Sequence, residues 1–273
     1  MALEHHTLYS SPLVTVGDVQ CTEGCGPGRH EEHCPVASIA LVRSGSFVRR
    51  DRLGRHVADA TQVVFFDPSE PYMVDHPIPG GDRCTSLAFA PEVLREAQRA
   101  RRGQPERYFE KSTLAGSSEL HLLHRELLLA ASLGDGVMVE ETALTLLRLC
   151  TEGEGIPHLK GAAFQRAAAL AADAQVLIAE SFSGPVTLEA LATQLDVSAF
   201  RLCRAFRQAT GGSLHQHLLR LRLVTALEKL PAYRDRLTDL ALDLGFSSHS
   251  HFSHAFRSYY GRTPSALVRG PDA

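Results

Sequence analysis

The sequence predicts an α+β chain with an N-terminal β-barrel or sandwich, a helical segment behind it and an all-α C-terminal domain. Three observations carry this. Short apolar runs punctuated by Gly and Pro fill residues 36–89, helical spacing replaces them after Pro91, and one helix–turn–helix pattern occurs twice beyond residue 186. With 273 residues, 44% of them hydrophobic and 22% charged, the chain can bury a core in each of two domains. The expected boundaries are 1–110, a helical segment and linker over 111–160, and 161–273.

The strands follow in order. Val36–Val42 is an apolar run, closed by the turn Ser44-Gly45-Ser46 and answered by Phe47–Arg50. Asp51–Arg55 offers a second turn around Gly54. Gln62–Phe66 reads as a buried strand ended by Asp67-Pro68, and Tyr72–His76 as another, closed by Pro77-Ile78-Pro79-Gly80-Gly81. Cys84–Phe89 completes the set. Regular short strands with Gly/Pro turns indicate a small barrel or sandwich.

Beyond Pro91, Leu120, Leu123, His124, Leu127 and Leu128 keep helical spacing, as do Ala143, Leu146, Leu147 and Cys150, with a Gly134-Asp135-Gly136 break between them. This pair is the expected dimerisation segment. Thr151–Pro157 reads as a linker, and the Ala-rich stretch from Ala162 to Phe182 as the helix that opens the next domain.

The C-terminal repeat is the most informative feature. Leu188, Leu191, Ala192 and Leu195 stand at i, i+3, i+4 and i+7, and Leu237, Leu240, Ala241 and Leu244 reproduce them 49 residues later. One inserted residue then changes the register to 50, so that Leu202, Ala205, Phe206, Arg207 and Gly211 match Phe252, Ala255, Phe256, Arg257 and Gly261. Each copy, 187–211 and 237–261, is two amphipathic helices around a tight turn. Ser198 and Ser247 or Ser248 are N-caps and a glycine is the stop. Leu214–Leu230 bridges the copies as one helix that Pro231 ends. A recognition helix fits the DNA major groove, and successive grooves on one face lie about 34 Å apart. A stiff helix between two such units fixes their separation.

The second copy reads Leu240-Ala241-x-x-x-Gly245-Phe246-Ser247-x-x-Ser250-x-Phe252-x-x-Ala255-Phe256-Arg257-x-x-x-Gly261-x-x-Pro264. With the first copy, it resembles the AraC/XylS family of transcription regulators over roughly Val186 to Val268. The resemblance implies a two-lobed helical domain that binds double-stranded DNA. It also implies that the N-terminal region is a cupin-like sensor, since that is the domain many members carry there. The family's base-reading positions fall on Phe200, Cys203 and Arg204 in the first copy, and on His249, Ser250, Ser253 and His254 in the second. Arg204 can pair with a guanine edge and Phe200 can pack on a thymine methyl. Arg201, Arg207 and Arg257 suit phosphates. The family usually places Arg or Lys where His254 stands, which makes that contact pH-dependent.

Charge agrees with this division. The chain carries −3 overall, but residues 165–273 hold 12 Lys and Arg against 9 Asp and Glu, which leaves the remainder at −6. No apolar run reaches the roughly 20 residues of a membrane span, and Met1–His6 is not the head of a signal peptide, so a cytoplasmic location is expected. No Ser/His/Asp set, phosphate loop or nucleotide fingerprint occurs, and the chain reads as a non-enzyme.

Six cysteines remain: Cys21, Cys25, Cys34, Cys84, Cys150 and Cys203. A reducing compartment argues against disulfides. Cys21, Cys25 and Cys34, with His30 and His33 between them and Cys84 returned by the barrel, suit zinc or another thiophilic metal. Gly28-x-His30-x-x-His33 is also faintly similar to a cupin metal motif. Three readings stand for the cluster: a metal site, a metal-free sensor of oxidants or electrophiles, and unligated thiols. Cys150 reads as a small core residue, and Cys203 as a DNA contact or packing.

The sequence therefore describes a DNA-binding regulator, expected as a homodimer, with RNA polymerase a further partner. Its N-terminal domain would sense a metal, a thiol-reactive agent or a small effector. The alternatives are a zinc-thiol protein that accepts alkyl groups from damaged DNA, and a constitutive DNA-binding protein with a structural metal site.

Overall fold

A computed structural model describes residues 3–22, 31–99, 107–152 and 161–269. The chain divides into two compact units, 1–159 and 160–273. Cys25 and His30, and the linker stretch 153–157, lie outside the described residues.

The first unit has two antiparallel sheets. Its strands are β1 (Leu3–Ser10), β2 (Val14–Cys21), β3 (Ser38–Gly45), β4 (Phe47–Asp51), β5 (Gly54–Ala58), β6 (Gln62–Phe66), β7 (Met73–Asp75), β8 (Asp82–Phe89) and β9 (Thr113–Ala115). Six of them run in the order β1-β2-β8-β3-β6-β9, and β5-β4-β7 form the second sheet. Among the described residues neither sheet closes on itself. The large sheet ends in β1, exposed over most of its length, and in the three-residue β9, so the hydrogen-bonded ladder has two edges where a closed barrel would have none.

Side-chain alternation makes three layers of this unit. On β3, Ile39 and Leu41 face a core with Val14, Val16, Val63, Phe65 and Leu87 of the same sheet. Leu94 of α1 (Pro91–Arg99), Leu120 and Leu127 of α2 (Ser118–Leu133) and Val139, Leu146 and Cys150 of α3 (Gly136–Glu152) complete that core. Ala40 and Val42, on the opposite face of β3, pack with Phe47, Ala58, Val64 and Cys84. The strand is buried on both faces, which is why residues 36–42 read as an unbroken apolar run. The helices form the first layer and the two sheets the others.

Both edges of the first unit differ from the sequence reading. Strands β1 and β2 precede the first expected strand. Residues 54–58 form β5, and of the expected turn only the tip at 52–53 lies between strands. Arg49 of β4 is fully buried, its Nε 3.1 Å from Asp51 Oδ2 and its guanidinium stacked over Phe66 and Tyr72 at 4.9 and 5.1 Å. A long Arg inside the small sheet conceals that strand's amphipathic pattern.

The second unit is helical: α4 (Ala162–Ser181), α5 (Leu188–Gln194), α6 (Ala199–Thr210), α7 (Leu214–Lys229), α8 (Leu237–Asp243), α9 (His249–Tyr260) and α10 (Pro264–Arg269). A 3-10 turn over Leu230–Tyr233 takes in Pro231. No helix among the described residues is long and apolar enough to cross a membrane.

His124 of α2 is buried and shares a 2.8 Å hydrogen bond with Thr85 Oγ1 of β8. Burial, then the nearby Arg43 charge, holds its imidazole down at about 3. The folded state therefore binds fewer protons than the unfolded one between about pH 6.5 and 3. Stability from this group is complete above that window and falls within it, by about 1.4 kcal/mol per pH unit. Urea denaturation of His124→Gln across this range should show a shallower loss on acidification than the parent. An identical slope would mean that His124 is not held neutral.

Candidate nucleic-acid interface

The two helical copies are built alike, atom for atom at their turns. In the first, Thr187 caps α5 through Ala190 N (3.1 Å) and Ser198 caps α6 through Arg201 N (3.2 Å). In the second, Ser248 caps α9 through His251 N at 3.1 Å, which selects it over Ser247. Between helices the same pair of backbone bonds recurs. Val197 N reaches Ala192 O and Asp196 N reaches Thr193 O in one copy; Phe246 N reaches Ala241 O and Gly245 N reaches Leu242 O in the other. This is the Schellman closure, and it places a left-handed residue at Asp196 (φ 51°) and at Gly245 (φ 77°). Gly211 and Gly261, at φ 76° and 73°, end α6 and α9.

Each second helix divides by burial. On α6, Leu202, Ala205, Phe206 and Ala209 are core, while Arg201, Cys203, Arg204 and Arg207 are exposed and Phe200 is 78% exposed. On α9, Phe252, Ala255, Phe256 and Tyr260 are core, and His249, Ser250, His254 and Arg257 are exposed. Ser253 is half-buried, 3.4 Å from His249 Nε2. All ten residues singled out in the sequence thus lie outside the buried core, nine of them exposed. The first helix offers an aromatic ring and three guanidinium groups, the second mostly imidazoles and hydroxyls. These are different chemical surfaces for a groove.

Sequence reading missed Arg222 of α7, half-buried in the run Leu221-Arg222-Leu223. Its Nε donates to Phe182 O (2.7 Å) and its Nη2 to Gly184 O (2.8 Å), both just past the end of α4. Its guanidinium lies 5.9 Å from the Phe246 ring. Burial lowers its pKa from the ordinary value. The signal in the sequence was a cation on the apolar stripe of a helix, which needs a polar partner.

The cysteines separate. Cys21 ends β2 and Cys84 lies in β8, both buried and both thiols. Cys34 is far along the sheet: it bonds Val36 O at 2.9 Å and approaches Ser38 Oγ, beside the β3 end that pairs with Ala88, whereas the other end of β3 pairs with Asp82. Six residues of β8 separate those ends, about 20 Å of strand. The expected set of Cys21, Cys25, Cys34 and Cys84 is therefore corrected: Cys34 is not with Cys21 and Cys84. His33 is exposed. His76 and Asp82 are the groups that gather with Cys21, and Cys84 joins them through its hydrogen bond to Asp82. Cys150 is buried in the helix–sheet core, where burial pushes its thiol up to about 12, and Cys203 is exposed on α6.

Comparison with known proteins agrees with the second unit. Residues 191–270 match the family model described as a helix-turn-helix domain. The transcriptional activator RhaS of Escherichia fergusonii is 36% identical over 94 residues, which is 34% of this chain and 34% of that protein. RhaS of Escherichia coli O139:H28 is 34% identical over 93 residues, with the same coverage. The match thus spans about a third of the length of these curated relatives. Among solved structures, the C-terminal domain of AraT, a response regulator from Geobacillus stearothermophilus, is 30% identical, covers 38% of this chain and 87% of its own, and has a TM-score of 0.36. ToxT from Vibrio cholerae, with an unsaturated fatty acid bound, is 12% identical over 95% of this chain and 96% of its own, with a TM-score of 0.40.

Gly245 is needed twice over, for its positive φ and because a Cβ there would lie 2.6 Å from Arg222 Nη2 and 2.9 Å from Ser183 O. Gly261 has the same sign of φ and open space. Gly245→Ala should therefore destabilise the second unit by about 2–3 kcal/mol and Gly261→Ala by about 1 kcal/mol. Urea denaturation of the full chain checks this; equal losses would remove the clamp from the explanation.

Proposed function

We propose that the chain is a sequence-specific DNA-binding transcription regulator that belongs, through its C-terminal unit, to the AraC/XylS family of helix-turn-helix regulators, a reading supported by the match of residues 191–270 to the helix-turn-helix model. The observation that carries the reading is the burial pattern of α6. Phe200, Arg201, Cys203, Arg204 and Arg207 point away from a core that Leu202 and Phe206 fill, so this face is available to a groove. Arg204 reads a guanine edge, Phe200 packs on a thymine methyl, and Arg201 and Arg207 hold phosphates. On α9, His249, Ser250, Ser253 and His254 read bases and Arg257 holds a phosphate. Double-stranded DNA is the partner, and a cytoplasmic location goes with it.

The first unit supplies regulation in this reading. Two facing antiparallel sheets with helices on one side suit a cupin-like sensor of a metal, a thiol-reactive agent or a small effector. The hairpin of α2 and α3 serves as the homodimer contact: it leaves Leu129, Leu133, Val137, Met138 and Leu144 in solvent, with Leu133 and Val137 74% and 76% exposed. RNA polymerase is the partner through which such a regulator acts. The alkyl-acceptor alternative calls for a reachable nucleophilic thiol; Cys21 and Cys84 are both buried, which leaves the half-buried Cys34 and the exposed Cys203 among the described cysteines.

Selection from random duplexes, followed by fluorescence anisotropy at several salt concentrations, tests the assignment. Arg204→Ala should cost about 1–3 kcal/mol on the selected sequence and little on random DNA. Arg207→Ala should weaken both and reduce the slope of log affinity against log salt by about 1. Recovery of no preferred sequence would defeat the proposal.

A further inference from the structure

The antiparallel register of β2 and β8 pairs Cys21 with Asp82 and Val19 with Cys84. Directly opposed residues share a face, as do residues two apart on one strand, so Cys21, Asp82 and Cys84 project together. Val19 and Cys84 pack in the core between the two sheets, which identifies the face. His76 comes from the other sheet, one residue beyond β7. Its Nε2 is 2.9 Å from Asp82 Oδ1, and Cys84 Sγ donates to Asp82 Oδ2 at 3.2 Å. Ligand atoms of Cys21, His76 and Asp82 all lie within 4.8 Å of one another. All four residues are buried.

The connection that delivers His76 and Asp82 is seated on the strand ends by backbone packing. It contains Pro77 and Pro79, then Gly80 and Gly81 at φ 106° and 69°. A Cβ at Gly81 would sit 1.8 Å from the Cys21 carbonyl oxygen, and one at Gly45 would sit 2.1 Å from that of Gly81. Only glycine permits either approach. The donors are therefore brought together by the fold itself.

We propose that Cys21, His76, Asp82 and Cys84 form a buried site for a thiophilic divalent metal, zinc in the first instance. Two sulfurs, one imidazole nitrogen and one carboxylate oxygen make a four-donor set of the kind zinc takes in tetrahedral sites. Zinc–ligand bonds of about 2.0–2.3 Å put neighbouring ligand atoms roughly 3.3–3.8 Å apart. His76 and Cys84 stand 2.9 and 3.2 Å from the Asp82 carboxylate, Cys21 lies within 4.8 Å of His76 and Asp82, and closure of the set on an ion requires Cys84 to move in toward the other donors. Sulfur donors disfavour magnesium and calcium. A bound cation would also offset the charge of the buried Asp82 carboxylate, which His76 and Cys84 already hydrogen-bond. On binding, each ligating thiol gives its proton to solvent and its sulfur lone pair to the metal. A surface cleft of about 350 Å³, lined by Gln20, Ser44, Pro79 and Arg83 among others, reaches Asp82 and gives an ion its approach. The bound ion would join β2 and β8 of the large sheet to the end of β7 in the small one.

The test uses the full chain, reduced and stripped of metal, titrated with zinc(II) against a chromophoric chelator and separately with cobalt(II) as a spectroscopic stand-in. One ion per chain is expected, with thiolate-to-cobalt charge-transfer bands of the intensity of two sulfurs. Cys21→Ser, His76→Gln and Cys84→Ser should each weaken zinc binding about tenfold or more, while Cys34→Ser and Cys150→Ser leave it unchanged. The cobalt spectrum of the parent chain decides the matter even where a variant does not fold. A parent that takes up no zinc, a cobalt complex without sulfur bands, or loss of binding in Cys34→Ser with retention in Cys84→Ser would overturn the site. No DNA enters these readouts, so the result stands apart from the regulator reading.

Discussion

The clamp made by Arg222 is the constraint on which the second unit depends. One guanidinium, on the helix between the two copies, satisfies the carbonyls left past the end of α4 and lies against Phe246 at the turn of the second copy. It thereby ties two otherwise separate segments, the stretch after α4 and the turn of the second copy, to α7. Buried charge is expensive unless its donors are used, and here two are used on main-chain oxygens that have no helical partner of their own. Gly245 completes the arrangement by leaving room for the guanidinium. Helix α7, 16 residues or about 24 Å long, then carries that fixed geometry from one recognition helix to the other. In the proposed complex with DNA, two units held in this way would meet successive grooves with little ordering left to do on binding.

In the first unit the corresponding constraint is the double burial of β3 and β8. On β8, Thr85 and Leu87 face the helices, while Cys84 faces the small sheet. One strand therefore supplies both the partner of the neutral His124 and half of the thiol cluster. Because alternation assigns the faces, a slip of one residue in β8 would exchange the two environments and bury neither set correctly.

Much of this was legible in the residues. Periodicity located the helices of the second unit, and the serine caps and glycine stops shared by α6 and α9 gave their ends, because these features are set by bonds within a few residues of one another. The burial split of α6 and α9 followed from the same spacing. What was not legible depends on partners distant in sequence. Strand β1 is exposed and polar, so it has no pattern of its own and is a strand because β2 pairs with it. The sequence pointed to Cys21, Cys25 and Cys34 with Cys84 returned to them by the strands. Strand register instead brought in His76 and Asp82, on either side of the Pro/Gly loop, and left Cys34 at the opposite end of the sheet. The two prolines and paired glycines there were visible as a turn, but the strand end they close against was not.

The measurement that bears most directly on the account is methylation interference on a selected DNA site, repeated after inserting five base pairs between the two contacted segments. Two units fixed by α7 and Arg222 should give interference in two successive major grooves, centred about 10 base pairs apart on one face of the duplex. The half-turn insertion should then reduce affinity to that of a single contact. Interference confined to one groove, with affinity indifferent to the insertion, would contradict the claim that the two helices act as one rigid reader.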